Sequence, residues 1–189
     1  VQALVQQGQK RVLLVSGEGL GKNALDYTVA ALETIYGVKM GKGEIRRVNV
    51  NIAALPVEGY RTLKAARIGT YQLFQETYHA DTYKTMHPSG PKANYLYHLT
   101  AMDRAMEAGI DDVGVGILFG LEDYRFEIMA LLQHIRHLEE RFGTGVHTIS
   151  IPRLEPATGS DLSVHPPHPV NDRDFRKIIS ILRITVPYT

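Results

Sequence analysis

Apolar residues along this chain fall into two rhythms. Short strand-like runs, most of them rich in Val and Ile, occur at 11–15 (RVLLV), 45–52 (IRRVNVNI), 71–77 (YQLFQET), 112–121 (DVGVGILFGL) and 147–154 (HTISIPRL). Longer stretches with helical spacing separate several of them: ALPVEGYRTLKAARIG at 54–69, then 95–108, 124–142 and 170–185. Strand-like and helix-like segments in alternation predict successive βα units on a parallel sheet. Gly69 and Gly109 are placed as C′ glycines, each just before a strand. The last helix has Asn171 or Asp172 as its N-cap and an apolar stripe at Phe175, Ile178, Ile179 and Leu182. Four of the nine prolines fall between Glu155 and Pro169, which predicts a loop leading to that helix. VQALVQQGQKRV reads as the tail of a helix running into a strand, so an excised piece of a longer chain is expected.

Five βα units in one parallel order suit a doubly wound sheet or part of a closed barrel. The 189 residues make a single domain, 1–189, and fall short of the roughly 250 typical of a (β/α)8 barrel. Both architectures bind ligands at the carboxyl ends of their strands. The segments to interrogate are therefore Ser16-Gly17-Glu18, Asn49-Val50-Asn51, Gln75-Glu76-Thr77, Gly116 to Gly120, and Ser150 to Arg153.

Charge and composition then narrow the classes. A formal net charge of +1 and only Arg46-Arg47 as a local basic cluster argue against a nucleic-acid partner. The longest apolar run, Val113 to Leu121, is well short of the ~20 residues that span a bilayer, so no membrane segment is expected. There is no cysteine, which removes disulfides, thiolate metal sites and a cysteine nucleophile from this stretch of chain.

Chemistry concentrates in FQETYHADTYKTMHPSGP, residues 74–91. Glu76, His79 and His87 carry metal-ligating side chains, but their spacing matches no strong signature. His79 and His87 read instead as loop histidines that hydrogen-bond the backbone around Ser89-Gly90-Pro91. Gly17, Gly19 and Gly21 imitate a dinucleotide loop, yet Glu18 would set a negative charge against the phosphates. Glu18 is better suited to receiving an ammonium or a ribose hydroxyl, with a solvated loop acid as the bland alternative. Arg153 ends a strand between two prolines, where a guanidinium can clamp a carboxylate, with Ser150 adding a hydroxyl; a salt bridge to Glu155 is the competing reading. An acid at one strand end and an arginine at another suit a zwitterionic amino acid.

The strings LVSGEG, RRVNVNIAALPVEGY, FQETYHADTYKTMHPSGPK, YHLTAMDRAMEAGIDDVGVGILFGLEDY, LEERFG and HTISIPRLEPATG, in that order, closely resemble the radical S-adenosylmethionine (SAM) tyrosine lyases over nearly the whole chain. QETYH and PRL are common to a thiamin-pathway branch and a hydrogenase-maturase branch. HPSGPK, GEIRRVNVN and His98, where the thiamin branch tends to carry Arg, resemble the maturase branch.

The resemblance implies five or so strands of a (β/α)8 TIM-type barrel in a cytoplasmic enzyme. In the family a [4Fe–4S] cluster held by three upstream cysteines cleaves SAM to a 5′-deoxyadenosyl radical, and tyrosine is broken at Cα–Cβ into dehydroglycine and p-cresol. The maturase branch converts the fragment to CO and cyanide at a second cluster and works with other hydrogenase maturation proteins. Carried over residue by residue, Ser16, Gly17 and Glu18 receive the SAM amino group. Gln75, Glu76, Thr77 and His98 line the cavity near SAM, and Ser150 and Arg153 hold the tyrosine carboxylate. Gly114, Gly116 and Gly120 let the fifth strand approach the cofactor. Neither cysteine motif is present, so the 189 residues alone are expected to be inactive, and open sheet edges predict association with a second copy or a partner. The thiamin branch and a non-catalytic amino-acid-binding module are the alternatives.

Overall fold

The computed structural model describes residues Val1 to Thr189, the side chains of Leu20 and Lys22 excepted. In chain order its elements are α1 (Gln2–Gln6), β1 (Arg11–Val15), a 3-10 stretch (Glu18–Asn23), α2 (Ala24–Gly37), β2 (Lys39–Met40), β3 (Gly43–Glu44), β4 (Arg47–Asn51), α3 (Val57–Ala65) and β5 (Tyr71–Gln72). There follow α4 (Ala80–Met86), a 3-10 turn (Pro91–Ala93), α5 (Tyr95–Leu99), α6 (Ala101–Glu107), β6 (Val113–Gly116), α7 (Tyr124–Phe142), β7 (Thr148–Ser150), α8 (Asp161–Val164) and α9 (Asp172–Thr185). The sheet order is β1-β4-β5-β6-β7, with parallel registers such as Val12↔Val48, Val50↔Tyr71 and Val115↔Ile149. β2 and β3 form a separate antiparallel hairpin that the sequence reading does not contain.

The chain divides into two compact units. The first holds Val1–Leu73 and Thr100–Val113; the second holds Phe74–Leu99 and Gly114–Thr189. In the first, β4 alternates, so Val48 and Val50 are fully buried while Arg47, Asn49 and Asn51 take the other face. Tyr60 on α3 and Tyr71 on β5 meet edge to face with hydroxyls 3.0 Å apart, and the Tyr71 hydroxyl donates to the Ile52 carbonyl at 3.1 Å. Two buried phenols are thus satisfied within the core, as burial of a polar tip requires. In the second unit the stripe Ile128, Leu131, Ile135 and Leu138 buries one face of α7. Asp123 caps that helix by accepting from Arg125 N, and Gly143, at φ 72, ends it.

Several predicted boundaries shift for local reasons. The helix expected over 95–108 breaks at Thr100, whose carbonyl and hydroxyl both accept from the Arg104 guanidinium, at 3.0 and 2.7 Å. Gly109 does occupy the left-handed position after α6, at φ 87. Gly69 does not do so for α3: the helix caps at Ala66 and the left-handed residue is Arg67, φ 59, a position where a non-glycine costs about 1 kcal/mol. Gly69 is required for space, because a Cβ there would overlap the Arg47 and Asn49 side chains. Within Glu155–Pro169 the expected loop contains one helical turn, α8, capped by Ser160. The stripe of α9 buries Ile178 and Leu182 but leaves Ile179 39% exposed.

Candidate active site

In the second unit the strands end on a continuous ladder. Gln75 N donates to Gly116 O at 2.9 Å and Leu118 N to Glu76 O at 2.9 Å; Ile117 N donates to Ser150 O at 3.1 Å and Phe119 N to Pro152 O at 2.8 Å. Glu76 pairs with Ile117 and Phe119 with Arg153 as isolated parallel bridges. The segments around Gln75-Glu76, Gly116–Phe119 and Ser150–Arg153 therefore lie side by side, which brings four of the expected site residues to one rim.

The run expected as a strand to Thr77 ends at Gln72, and its continuation is a tight turn. Thr77 N donates to Gln75 O at 2.9 Å around Glu76, whose φ is 68. An i to i+2 bond around a positive φ is a γ-turn of the strained kind, and strain of this sort persists only where the surroundings hold it. The holder is Glu127 of α7, which the sequence reading did not single out. Its carboxylate, on a residue 1% exposed, accepts from the Thr77 hydroxyl and from Tyr78 N at 2.9 Å. Burial raises the Glu127 carboxyl above its ordinary range, against the lowering effect of those two donors. Two turns further along α7, His134 Nδ1 bonds the Tyr78 hydroxyl at 2.8 Å, and Tyr95 donates to the Tyr78 carbonyl at 2.7 Å.

Glu76 itself is half-buried and paired. Its carboxylate pairs with Lys92, with His87 Nε2 at 3.6 Å. Thr77 is fully buried with its hydroxyl committed to Glu127, so it does not line an open cavity as expected. Gln75 is 5% exposed and donates to Thr77 O at 3.4 Å. His98, also expected at the cavity, is 4% exposed; its Nε2 bonds the Phe74 carbonyl at 2.9 Å, and burial lowers its pKa. It supports the backbone that leads into the turn and keeps a neutral ring. Gly116 likewise serves packing: a Cβ there would meet the Phe74 ring at 2.7 Å and the Ser150 carbonyl at 2.9 Å. Gly120, at φ 118, packs against Leu154.

The two loop histidines do organise backbone, at a helix rather than at the Ser89-Gly90-Pro91 turn. His79 caps α4 by accepting from Thr82 N at 3.3 Å, and His87 Nδ1 bonds Tyr83 O at 3.0 Å while its ring stacks on Tyr83. Glu122 gathers His79 Nδ1 at 3.3 Å and His168 Nε2 at 3.2 Å; the Thr82 hydroxyl, first, holds its carboxyl below the usual range. Among the described residues no group of three such side chains is arranged to hold a metal ion.

Arg153 is already engaged. Nη1 donates to Asp172 at 2.8 Å and to Val170 O at 3.3 Å, and the guanidinium lies over Phe175 at 4.6 Å. Glu155 stands 3.8 Å away, so the salt-bridge reading names a real neighbour, but Asp172 at the start of α9 is the closer acid. The bond from Arg153 holds the Asp172 carboxyl below its ordinary range.

In the first unit the end of β1 is built differently. Ser16 N donates to Asn51 O at 3.1 Å, yet Ser16 Oγ is buried without a hydrogen-bond partner. Gly17 precedes the 3-10 stretch in extended conformation, and Glu18, half-buried, pairs with no cation among the described residues. A hydroxyl and, two residues on, a carboxylate, neither with a side-chain partner among the described residues, fit a ligand that brings its own ammonium or hydroxyl, the donor set expected for SAM. An iron–sulfur cluster does not fit the residues of this chain, which contain no cysteine.

No protein-family model matches the chain. Two curated proteins do: 2-iminoacetate synthase of Salmonella typhimurium, 30% identical over 186 residues, and that of Escherichia coli, 28% identical. Each match covers 98% of this chain and 47% of the relative, so the chain spans about half the length of these relatives. Among solved structures, HydG, a maturase of the [FeFe]-hydrogenase, is 55% identical with a TM-score of 0.95 over 100% of this chain and 41% of its own. HydG from Carboxydothermus hydrogenoformans is 44% identical, with a TM-score of 0.82, over 100% of this chain and 42% of its own. Methylornithine synthase shares the fold alone, at 16% identity and a TM-score of 0.75 over 99% of this chain and 51% of its own. The chain is HydG-like and 2-iminoacetate-synthase-like, and its five parallel strands match part of the radical SAM barrel of these neighbours.

Proposed function

We propose that this chain carries the cofactor- and substrate-facing rim of a cytoplasmic radical SAM tyrosine lyase of the hydrogenase-maturase type. The observation that carries the reading is the 55% identity to HydG along the entire chain, against 30% to the thiamin-type relative. When bound, SAM and its iron–sulfur cluster supply the radical that takes hydrogen from tyrosine. The residues here bind and position. Glu18 receives the SAM ammonium and Ser16 Oγ gains the partner it lacks, with Gly17 between them allowing close approach. Gln75 and Glu76 face the cofactor from a turn that Glu127 fixes, while Thr77 and His98 act one layer behind. Arg153 exchanges Asp172 for the tyrosine carboxylate and Ser150 adds its hydroxyl, a trade of one charge-assisted pair for another. Cleavage at Cα–Cβ gives p-cresol and dehydroglycine, and the whole enzyme carries the latter on to CO and cyanide for hydrogenase maturation.

The test is anaerobic turnover of the reconstituted full-length protein with tyrosine and SAM. Formation of p-cresol together with CO and cyanide is expected, and Arg153→Lys is expected to lower kcat/KM about tenfold to a hundredfold by losing a bidentate clamp worth about 1.5–3 kcal/mol. Dehydroglycine without CO or cyanide would assign the thiamin branch, and no p-cresol at all would leave only the binding module. The 189 residues by themselves, lacking any thiolate for a cluster, are expected to give no p-cresol.

A further inference from the structure

The first unit gathers a second polar cleft that the proposed chemistry does not use. Lys10, Arg11, Arg46, Arg47 and Arg67 line it together with Tyr36, around a volume of about 410 Å³ where β1 and β4 begin. Over the whole sequence 21 Lys and Arg nearly balance 20 Asp and Glu, so five cations on one cleft are a local excess. Arg47 is neutralised by Asp112. Arg46 lies 3.6 Å from Glu44, an acid that Lys39 holds more closely. Among the described residues Arg11 and Arg67 have no acidic partner, and Lys10 makes no salt bridge but adds to the attraction that lowers the Glu44 carboxyl, after Lys39 and Arg46.

Arg67 separates this cleft from an ordinary solvated surface. It occupies the left-handed position after α3, where glycine is the inexpensive choice, and it is one of only two non-glycine residues with positive φ among those described. A cation at the end of α3 gains from the helix dipole, but Lys64 already supplies one in the last turn. Tyr36 fixes Arg67 twice: its hydroxyl donates to the Arg67 carbonyl at 2.8 Å, and its ring lies 5.7 Å from the guanidinium carbon. The same hydroxyl accepts from Val48 N at 3.1 Å, which ties this wall of the cleft to β4. A strained backbone position that holds a pre-oriented guanidinium among unpaired cations is what a ligand clamp requires.

We propose that this cleft binds a small phosphate-bearing anion. Guanidinium forks match phosphate oxygens two at a time, a cleft lined by one sign of charge concentrates counter-ions, and the volume lies within the range of about 300–1,000 Å³ of small-molecule sites. The inference does not depend on the lyase reading.

Pyrophosphate is the probe, titrated calorimetrically into the full-length protein and followed in parallel by thermal unfolding, with NaCl matched for ionic strength. Saturable binding and a rise in Tm with pyrophosphate but not with NaCl are expected. Arg67→Gly is expected to raise the Tm of the unliganded protein, because it relieves the left-handed residue, and to weaken pyrophosphate at least about tenfold. Arg11→Gln is expected to weaken binding similarly and leave Tm unchanged. Absence of saturable binding, equal shifts with NaCl, or affinity untouched by both substitutions overturns the proposal. So does an Arg67→Gly protein that loses stability and keeps its affinity, since Arg67 would then serve the fold.

Discussion

The ends of β1 and of the segment after β5 both carry polar side chains, and they are built in opposite ways. After β1, Ser16 Oγ is buried and unpartnered and Glu18 faces no cation among the described residues. Between Gln75 and His79 the polar groups are engaged: Glu76 with Lys92 and His87, Thr77 and Tyr78 N with Glu127, the Tyr78 hydroxyl with His134. A buried hydroxyl without a partner carries a cost that a bound ligand or a water can offset. A satisfied network, conversely, holds a strained turn in one shape. On the proposed function the cofactor completes the first place, while the second is held in one shape by its own network.

If that contrast is right, breaking the second place damages the fold more than the first. Glu127→Ala leaves Tyr78 N–H and the Thr77 hydroxyl without their acceptor and opens a cavity, and is expected to cost about 2–4 kcal/mol in chemical denaturation. Glu127→Gln keeps an acceptor oxygen and relieves a buried carboxylate, so its loss is expected to be about 1 kcal/mol. An alanine variant within error of the wild type would mean that the γ-turn at Glu76 is held by the ladder to Ile117 and Leu118 instead.

At the first place the order of effects inverts. Ser16→Ala removes a hydroxyl that has no partner in the fold, and Glu18→Gln removes a charge that pairs with nothing described, so both are expected within about 0.5 kcal/mol of the wild type in stability. Equilibrium binding of SAM to the full-length protein should respond strongly to Glu18→Gln, weakening about tenfold or about 1.4 kcal/mol, with Ser16→Ala losing less. Unchanged affinity in both variants would remove the β1 end from the cofactor site.

What could be read from the sequence divides along the same physical line. β1 and α7 have the bounds expected because their apolar rhythms are clean, Val12-Leu13-Leu14-Val15 in one and Ile128, Leu131, Ile135 and Leu138 in the other. α2 lies in a stretch where no helix or strand is predicted from the sequence. α4 escaped because ADTYKTM buries only Tyr83 and begins on a histidine cap, outside the usual Ser, Thr, Asp and Asn set. The γ-turn at Glu76 carries no glycine to announce its positive φ. Glu127 had a legible signal: it stands four and eight residues before Leu131 and Ile135, in phase with the buried stripe, where an acid has to be satisfied. Arg153 was legible as a strand-end guanidinium, but its partner Asp172 lies 19 residues away and only the fold reveals the pairing.

The smallest expected effect tests the layer behind the turn through pH. His98 is held neutral by burial, below the ordinary imidazole value of 6.5, while its Nε2 donates to the Phe74 carbonyl. As pH falls through 6.5 the unfolded chain takes up a proton that the folded ring refuses, so the stability contributed by His98 is present above that value and declines below it. Glu127 pulls the other way, since its raised folded-state value means that acid relieves a burial cost. Isolating the imidazole requires a variant that keeps the hydrogen bond and cannot titrate, and His98→Gln has an amide N–H in place of Nε2–H. Between pH 7.5 and 5.5 the wild type is expected to lose more unfolding free energy than His98→Gln, by at most about 1.4 kcal/mol per pH unit over the window between the folded and unfolded values. Parallel curves for the two proteins would show that the ring titrates in place, and therefore that Phe74 and the turn it leads into are less firmly enclosed than Glu127 makes them.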